Sequence, residues 1–66
     1  MQITVNGESR DVAPDTTVQS LVESFGLDGK TVVVQRNEDI VERGDYAATL
    51  LEDGDNLDLI RFVGGG

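Results

Sequence analysis

Cysteine and histidine are both absent from this 66-residue chain. Their absence removes disulfides and thiolate metal sites. It also removes Ser-His-Asp catalysis, cysteine nucleophiles and imidazole–zinc chemistry. No apolar run is long enough to span a membrane, and no signal-peptide pattern is visible, so the expectation is a cytoplasmic protein without a membrane partner. Basic residues are scarce: five, against thirteen carboxylates, for a formal net charge of −8. That balance argues against nucleic acid, whose binding rests on neutralising phosphates. It leaves two readings open, a basic protein partner reached by electrostatic steering, or acidity that serves solubility or a salty cytoplasm. The length makes one domain near the lower limit of independent folding, with little material for an elaborate internal pocket.

Read in order, Met1 to Val5 alternates, with Ile3 and Val5 on one face, as a half-buried strand does. Asn6-Gly7 is a strong hairpin signal because a type I′ turn needs positive φ at both central positions. Glu8 to Val12 returns as a second strand, which the single proline, Pro14, ends. The spacing predicts a helix over 17–25, with Thr16 as N-cap and Gln19 completing a capping box. Val18, Leu21, Val22 and Phe25 form its apolar stripe, and Gly26 suits a left-handed C-cap. Thr31 to Arg36 reads as a strand, Asn37-Glu38-Asp39 as a turn, and Ile40-Val41 as a short strand. Residues 42–45 favour no regular structure. Tyr46 to Leu51 reads as a helical turn or an irregular piece that tucks Leu50 or Leu51 inward. Asp53-Gly54-Asp55 reads as a turn rather than a calcium loop, since Asp53, Asp55 and Asp58 lack the twelve-residue pattern and its terminal glutamate. A last strand begins at Asn56. These elements define an α+β fold, a sheet with one helix across one face. The expected core is Ile3, Val5, Val12, Val18, Leu21, Val22, Phe25, Val32, Val34, Ile40, Leu50, Leu57 and Leu59.

The final stretch, Asn56 to Gly66, draws the functional reading. Alternation turns Leu57 and Leu59 inward and leaves Asp58, Ile60 and Phe62 facing away from the helix. If this strand lies beside residues 31–36, Val33 extends an exposed apolar patch of the kind that marks a docking surface. A fold-back of Phe62 over the sheet edge, or a one-residue change of register, would dissolve the patch. The strand then runs into Gly64, Gly65 and Gly66. Glycine has the largest entropy cost on ordering and no side chain to bury, so three in succession suit an extended backbone threaded through a narrow slot with a carboxylate at its tip. The expected division is a domain over 1–63 and a flexible tail over 64–66.

Taken together, Met1-Gln2-Ile3 with the Asn6-Gly7 hairpin, Thr17-Val18 with Leu21, Asn37 followed by Ile40-Val41 and Arg43, and Asp53-Gly54-Asp55 eight residues before terminal glycines resemble the ThiS family of sulfur carriers. That family lies within the ubiquitin-like β-grasp superfamily, and the resemblance covers essentially the whole chain. It implies a mixed sheet of four to five strands with one main helix. It implies that the chain is not an enzyme and binds no cofactor tightly or metal. The Gly66 carboxylate would be adenylated by a ThiF-like, ubiquitin-activating-type enzyme that uses ATP and Mg²⁺. It would then become a thiocarboxylate, with sulfur from a donor such as a cysteine desulfurase, and supply a ThiG-like thiazole synthase in thiamin biosynthesis. Gly65 would be the second glycine of the pair, and Gly64 stands where the family has a small residue. Val33, Ile60, Phe62, Val63 and Gly64 would meet the partners. Competing readings are a MoaD-like donor for molybdopterin, an archaeal-type ubiquitin-like modifier conjugated to lysines, and a non-catalytic β-grasp interaction module.

Overall fold

A computed structural model describes residues 1–61. Strands β1 (Gln2–Val5) and β2 (Glu8–Asp11) pair antiparallel. Asn6 and Gly7 join them with φ of 51° and 83°, the twin left-handed conformations that a type I′ turn requires.

Helix α1 spans Val18–Ser24. Its N-cap is Thr17, not the expected Thr16. Thr17 is extended, its Oγ1 accepts from Ser20 N–H at 3.1 Å, and Ser20 Oγ accepts from Thr17 N–H at 2.9 Å. The capping box therefore uses Ser20 in place of Gln19. Thr16 instead bonds Ala13 C=O through its N–H and its hydroxyl, closing the turn at Pro14. Gln19 donates to Glu23 along the helix. The C-terminal end follows the Schellman pattern: Gly26 (φ 72°) donates to Glu23 C=O and Leu27 to Val22 C=O. Seven residues are too few for a helix to persist alone, so α1 depends on burying Val18, Leu21 and Val22 against the sheet.

Strand β3 (Val32–Arg36) turns through Asn37 and Glu38, both at positive φ, into β4 (Asp39–Ile40). The loop is thus two residues long, one fewer than expected. The shift pairs Ile40 with Gln35 and turns it away from the core, leaving it 61% exposed. Half-buried Val41 packs against the core in its place, and its N–H donates to Val34 C=O. Residues 43–45, expected to be irregular, form a single 3₁₀ turn. It delivers Tyr46 into the core, where the phenol donates to Val32 C=O at 2.9 Å. Residues 49–51 then run extended against the N-terminus of α1. Val18 N–H donates to Thr49 C=O and Leu51 N–H to Thr16 C=O, which turns Leu51 inward and Leu50 outward. Leu51 and Tyr46 therefore take core places that the sequence reading assigned to Leu50 and Ile40. Val12 and Phe25 lie half-buried at the core margin.

Strand β5 (Asn56–Arg61) occupies the middle of the sheet, whose order is β2-β1-β5-β3-β4. It runs parallel to β1 and antiparallel to β3. The core, Ile3, Val5, Val18, Leu21, Val22, Val32, Val34, Tyr46, Leu51, Leu57 and Leu59, fills the space between α1 and one sheet face. Among the described residues, no helix is long and apolar enough to cross a membrane.

Candidate functional site

The register shows what the other sheet face carries. Val33 pairs with Ile60, Gln35 lies between Asp58 and Ile40, and both rows face away from α1. Val33 is half-buried and Ile60 is 47% exposed, so the predicted neighbours on adjacent strands do form one apolar surface. Ile40, diagonal to Val33 on β4, enlarges it. It was missed because the turn before it was read one residue too long; two-residue loops are the commonest hairpin connections. Towards β1 and β2 the same face becomes polar through Thr4, Ser9, Asp11 and Gln2. The apolar area is thus confined to the half of the face bounded by β4 and β5. Phe62, Val63, Gly64, Gly65 and Gly66 lie outside the described residues.

The root of the C-terminal segment is held from both sides. On one side Arg61 still pairs with Val32 of β3. On the other, β1 has ended, and the Asn6 side chain substitutes for it: Oδ1 accepts from Leu59 N–H at 2.8 Å, while Asn6 N–H donates to Leu57 C=O. Asn6 therefore serves the hairpin turn and the exit of β5 together, a second use that its turn propensity did not signal.

The start of β5 is fastened by Asp55, a buried carboxylate. Its oxygens accept from Arg36 Nε at 2.9 Å, Asn37 Nδ2 at 3.0 Å and Glu52 N–H at 2.8 Å. Burial pushes this carboxyl up, but the Glu52 N–H, the Asn37 amide and the Arg36 guanidinium together outweigh it and hold the group below its ordinary range. Asn37 also brackets Asn56, donating its N–H to Asn56 C=O and accepting from Asn56 N–H through Oδ1. Asp53 caps the opposite side of the turn by accepting from Gln2 N–H. The Asp53-Gly54-Asp55 signature is thus a structural fastening. Among the described residues, no group of three or more His, Cys, Asp or Glu is disposed to hold a metal ion.

A five-stranded mixed sheet wrapped around one helix, with the C-terminal strand central and one face open, defines a ubiquitin-like β-grasp protein. The crystal structure of the thiamine biosynthesis protein ThiS from Geobacter metallireducens superposes with a TM-score of 0.84 at 33% identity, covering all of both chains. Its solution structure gives 0.81 at the same 33% identity, over all of this chain and 88% of that one. The ThiS family model matches residues 3–66, and the chain belongs to that family. The sulfur carrier protein ThiS of Bacillus subtilis is 38% identical over 63 residues, 94% of this chain and 96% of that protein. A thiazole synthase of Paramagnetospirillum magneticum is 39% identical, and one of Magnetococcus marinus 36% identical, across all 66 residues. The chain spans only 20% of the length of each of these two synthases.

Proposed function

We propose that the chain carries sulfur for thiazole formation in thiamin biosynthesis, and that Gly66 bears it. The observation that carries this reading is the match to the Bacillus subtilis carrier over nearly the full length of both proteins. A ThiF-like enzyme, with ATP and Mg²⁺, converts the Gly66 carboxylate to an acyl adenylate and releases pyrophosphate. The terminal sulfur of a donor persulfide, such as a cysteine desulfurase carries, then attacks the acyl carbon as the bond to AMP breaks, and a thiol reductant cleaves the resulting acyl disulfide, leaving a thiocarboxylate and an oxidised disulfide. A ThiG-like thiazole synthase takes the sulfur. The thiazole synthases with a segment resembling this whole chain support that pairing. In this scheme the chain is a co-substrate acting in the cytoplasm. ATP, Mg²⁺ and catalytic side chains belong to its partners, consistent with a chain that has neither histidine nor cysteine. Gly65 and Gly66 leave the reacting carbonyl unhindered and allow close backbone approach, and Phe62, Val63 and Gly64 line the path into the partner's slot.

Incubation with the activating enzyme, ATP and a sulfur source is expected to raise the intact mass by about 16 Da, oxygen exchanged for sulfur at an activated carboxyl. An unchanged mass overturns the reading.

The open apolar face supplies the docking surface in this scheme, with Val33, Ile40 and Ile60 as anchors and Asp58 beside them. Ile60 is about half exposed on the central strand, so Ile60→Asp gives up strand propensity and its cross-strand contact with Val33 and should lower folding stability by about 1–2 kcal/mol without unfolding the domain. As a central apolar contact, its loss should weaken binding to the activating enzyme by roughly 30-fold. Calorimetric titration checks this, and an unchanged affinity removes the face from the interface.

A further inference from the structure

Strand β5 is paired unequally along its two sides. Strand β3 accompanies it to the Val32–Arg61 pair, whereas β1 matches it only at Asn56 and Leu57 before the chain turns at Asn6-Gly7. The Asn6 side chain extends that side by one bond, to Leu59 N–H. Backbone polar groups alternate sides along a strand. Leu57 C=O and Leu59 N–H point towards β1, so Leu59 C=O and Arg61 N–H point the same way, where no described residue bonds them. Two unmet backbone groups on a strand edge are a template for another strand.

On the helix side of this edge lies an open groove of about 380 Å³, lined by Asn6, Phe25, Leu27, Leu59 and Arg61. Phe25 and Leu27 are half-buried and present apolar surface to it. Arg61 takes part in no ion pair among the described residues, and Arg10 stacks on the Phe25 ring with its guanidinium carbon 4.5 Å from the centroid. In a molecule of net charge −8, one of the five basic side chains, Arg61, thus lines this groove, and a second, Arg10, covers the ring of its wall residue Phe25.

We propose that the β5 edge from Leu59 to Arg61 receives an extended segment of the carboxyl-activating partner by strand addition, with an apolar side chain of that segment in the groove and an acidic one against Arg61. The proposal rests on the carrier reading for the identity of the partner and adds how that partner grips the chain. Any protein that takes up residues 62–66 must pass directly by Arg61, so this contact is continuous with the path to the carboxylate. Backbone pairing supplies affinity in such additions, and alternate side chains supply selectivity. A second copy of this chain is a poor occupant, because two bodies of charge −8 repel.

Arg61→Pro removes the side chain and the outward N–H together; Arg61→Ala removes the side chain alone. Proline is tolerated where an edge N–H is unpaired and the preceding residue is extended. Titrated with the activating enzyme, Arg61→Ala should raise Kd roughly threefold, and Arg61→Pro by a further five- to tenfold or so, the worth of one backbone hydrogen bond. Exchange of the Arg61 amide in the unmodified chain should slow by at least roughly tenfold on complex formation, as expected for a newly paired N–H. Equal Kd values for the two variants, with an unprotected amide, overturn the proposal. If the proline variant fails to fold, amide exchange in the unmodified chain decides alone. Adenylation of the same unmodified sample separates the two levels. An adenylated chain with an unprotected Arg61 amide defeats strand addition only, while a chain neither bound nor adenylated defeats the carrier reading and this proposal together. Protection of Arg61 without the enzyme, accompanied by dimers in sedimentation, assigns the edge to a second copy and also overturns it.

Discussion

A chain shortened to end at Gly64 is expected to melt as the parent does and to accept no sulfur. The ladder that closes the domain has its outermost described pair at Val32 and Arg61, so removing Gly65 and Gly66 takes away no described hydrogen bond and no core side chain. The chemistry responds differently. Two residues of extended chain span at most about 7 Å, whereas a reacting carboxyl must sit within about 3.5 Å of its attacking partner. A carboxylate halted two residues short therefore stays outside the adenylating site even when docking is intact. The expected loss is at least about 10³-fold in the rate of acyl adenylate formation, comparable to removing a positioned reactant. Pyrophosphate release measured beside a calorimetric melt checks both halves. A shortened chain that still becomes thiocarboxylated would refute Gly66 as the sulfur-bearing residue.

Replacing Asp55 should have the largest effect on folding. Asp55→Ala strands the Arg36 guanidinium, the Asn37 amide and the Glu52 N–H, which now converge on one buried carboxylate. Breaking a buried, hydrogen-bonded ion pair from one side costs about 3–5 kcal/mol. Because Arg36 keeps some solvent contact, the lower part of that range, about 3 kcal/mol, is expected. At about 4–8 °C per kcal/mol in a domain of this size, the melting temperature should fall by at least about 12 °C. The same group sets a pH dependence. Its folded pKa lies below the unfolded value of 3.8, so the unfolded chain binds the proton first as pH falls. Its contribution is present above 3.8 and is lost as the pH drops through the lower folded value. Melting temperatures between pH 6 and pH 2 should show this decline in the parent, and Asp55→Asn should flatten the part of it that Asp55 contributes. A parent and an Asp55→Asn variant with parallel profiles would show that the carboxylate is not the titrating fastening.

The correct and the mistaken parts of the sequence reading have separate physical causes. Hairpin β1–β2, the apolar face of α1 and the inward pair Leu57 and Leu59 follow from periodicity and turn chemistry, and all appear where the pattern places them. That Val33 extends the outward patch of Ile60 followed once the last strand was set beside residues 31–36, and the register makes the two direct partners. The errors arose where one residue decides a face. Reading Asn37-Glu38-Asp39 as the turn, instead of Asn37-Glu38, buried Ile40 on paper and cost the patch a member. Leu50 and Leu51 are equally apolar, and only the pairing of residues 49–51 with residues 16–18 distinguishes them. Thr16 and Thr17 are equally good caps by composition; Ser20, three residues after Thr17, decides between them. Convergence of Arg36 and Asn37 on Asp55 is a long-range arrangement that no local pattern announces; only the Glu52 N–H bond is local.

The place of β5 in the sheet bears on how the molecule is made. Among the described residues, hairpins β1–β2 and β3–β4 share no ladder and β5 alone joins them, although it comes after both in chain order. Without residues 56–61, what is left is two hairpins, each marginal by itself, and a helix too short to persist. Closure of the sheet therefore requires β5. A surface that reads the closed sheet therefore exists only in a chain that has placed residues 56–61 between the two hairpins.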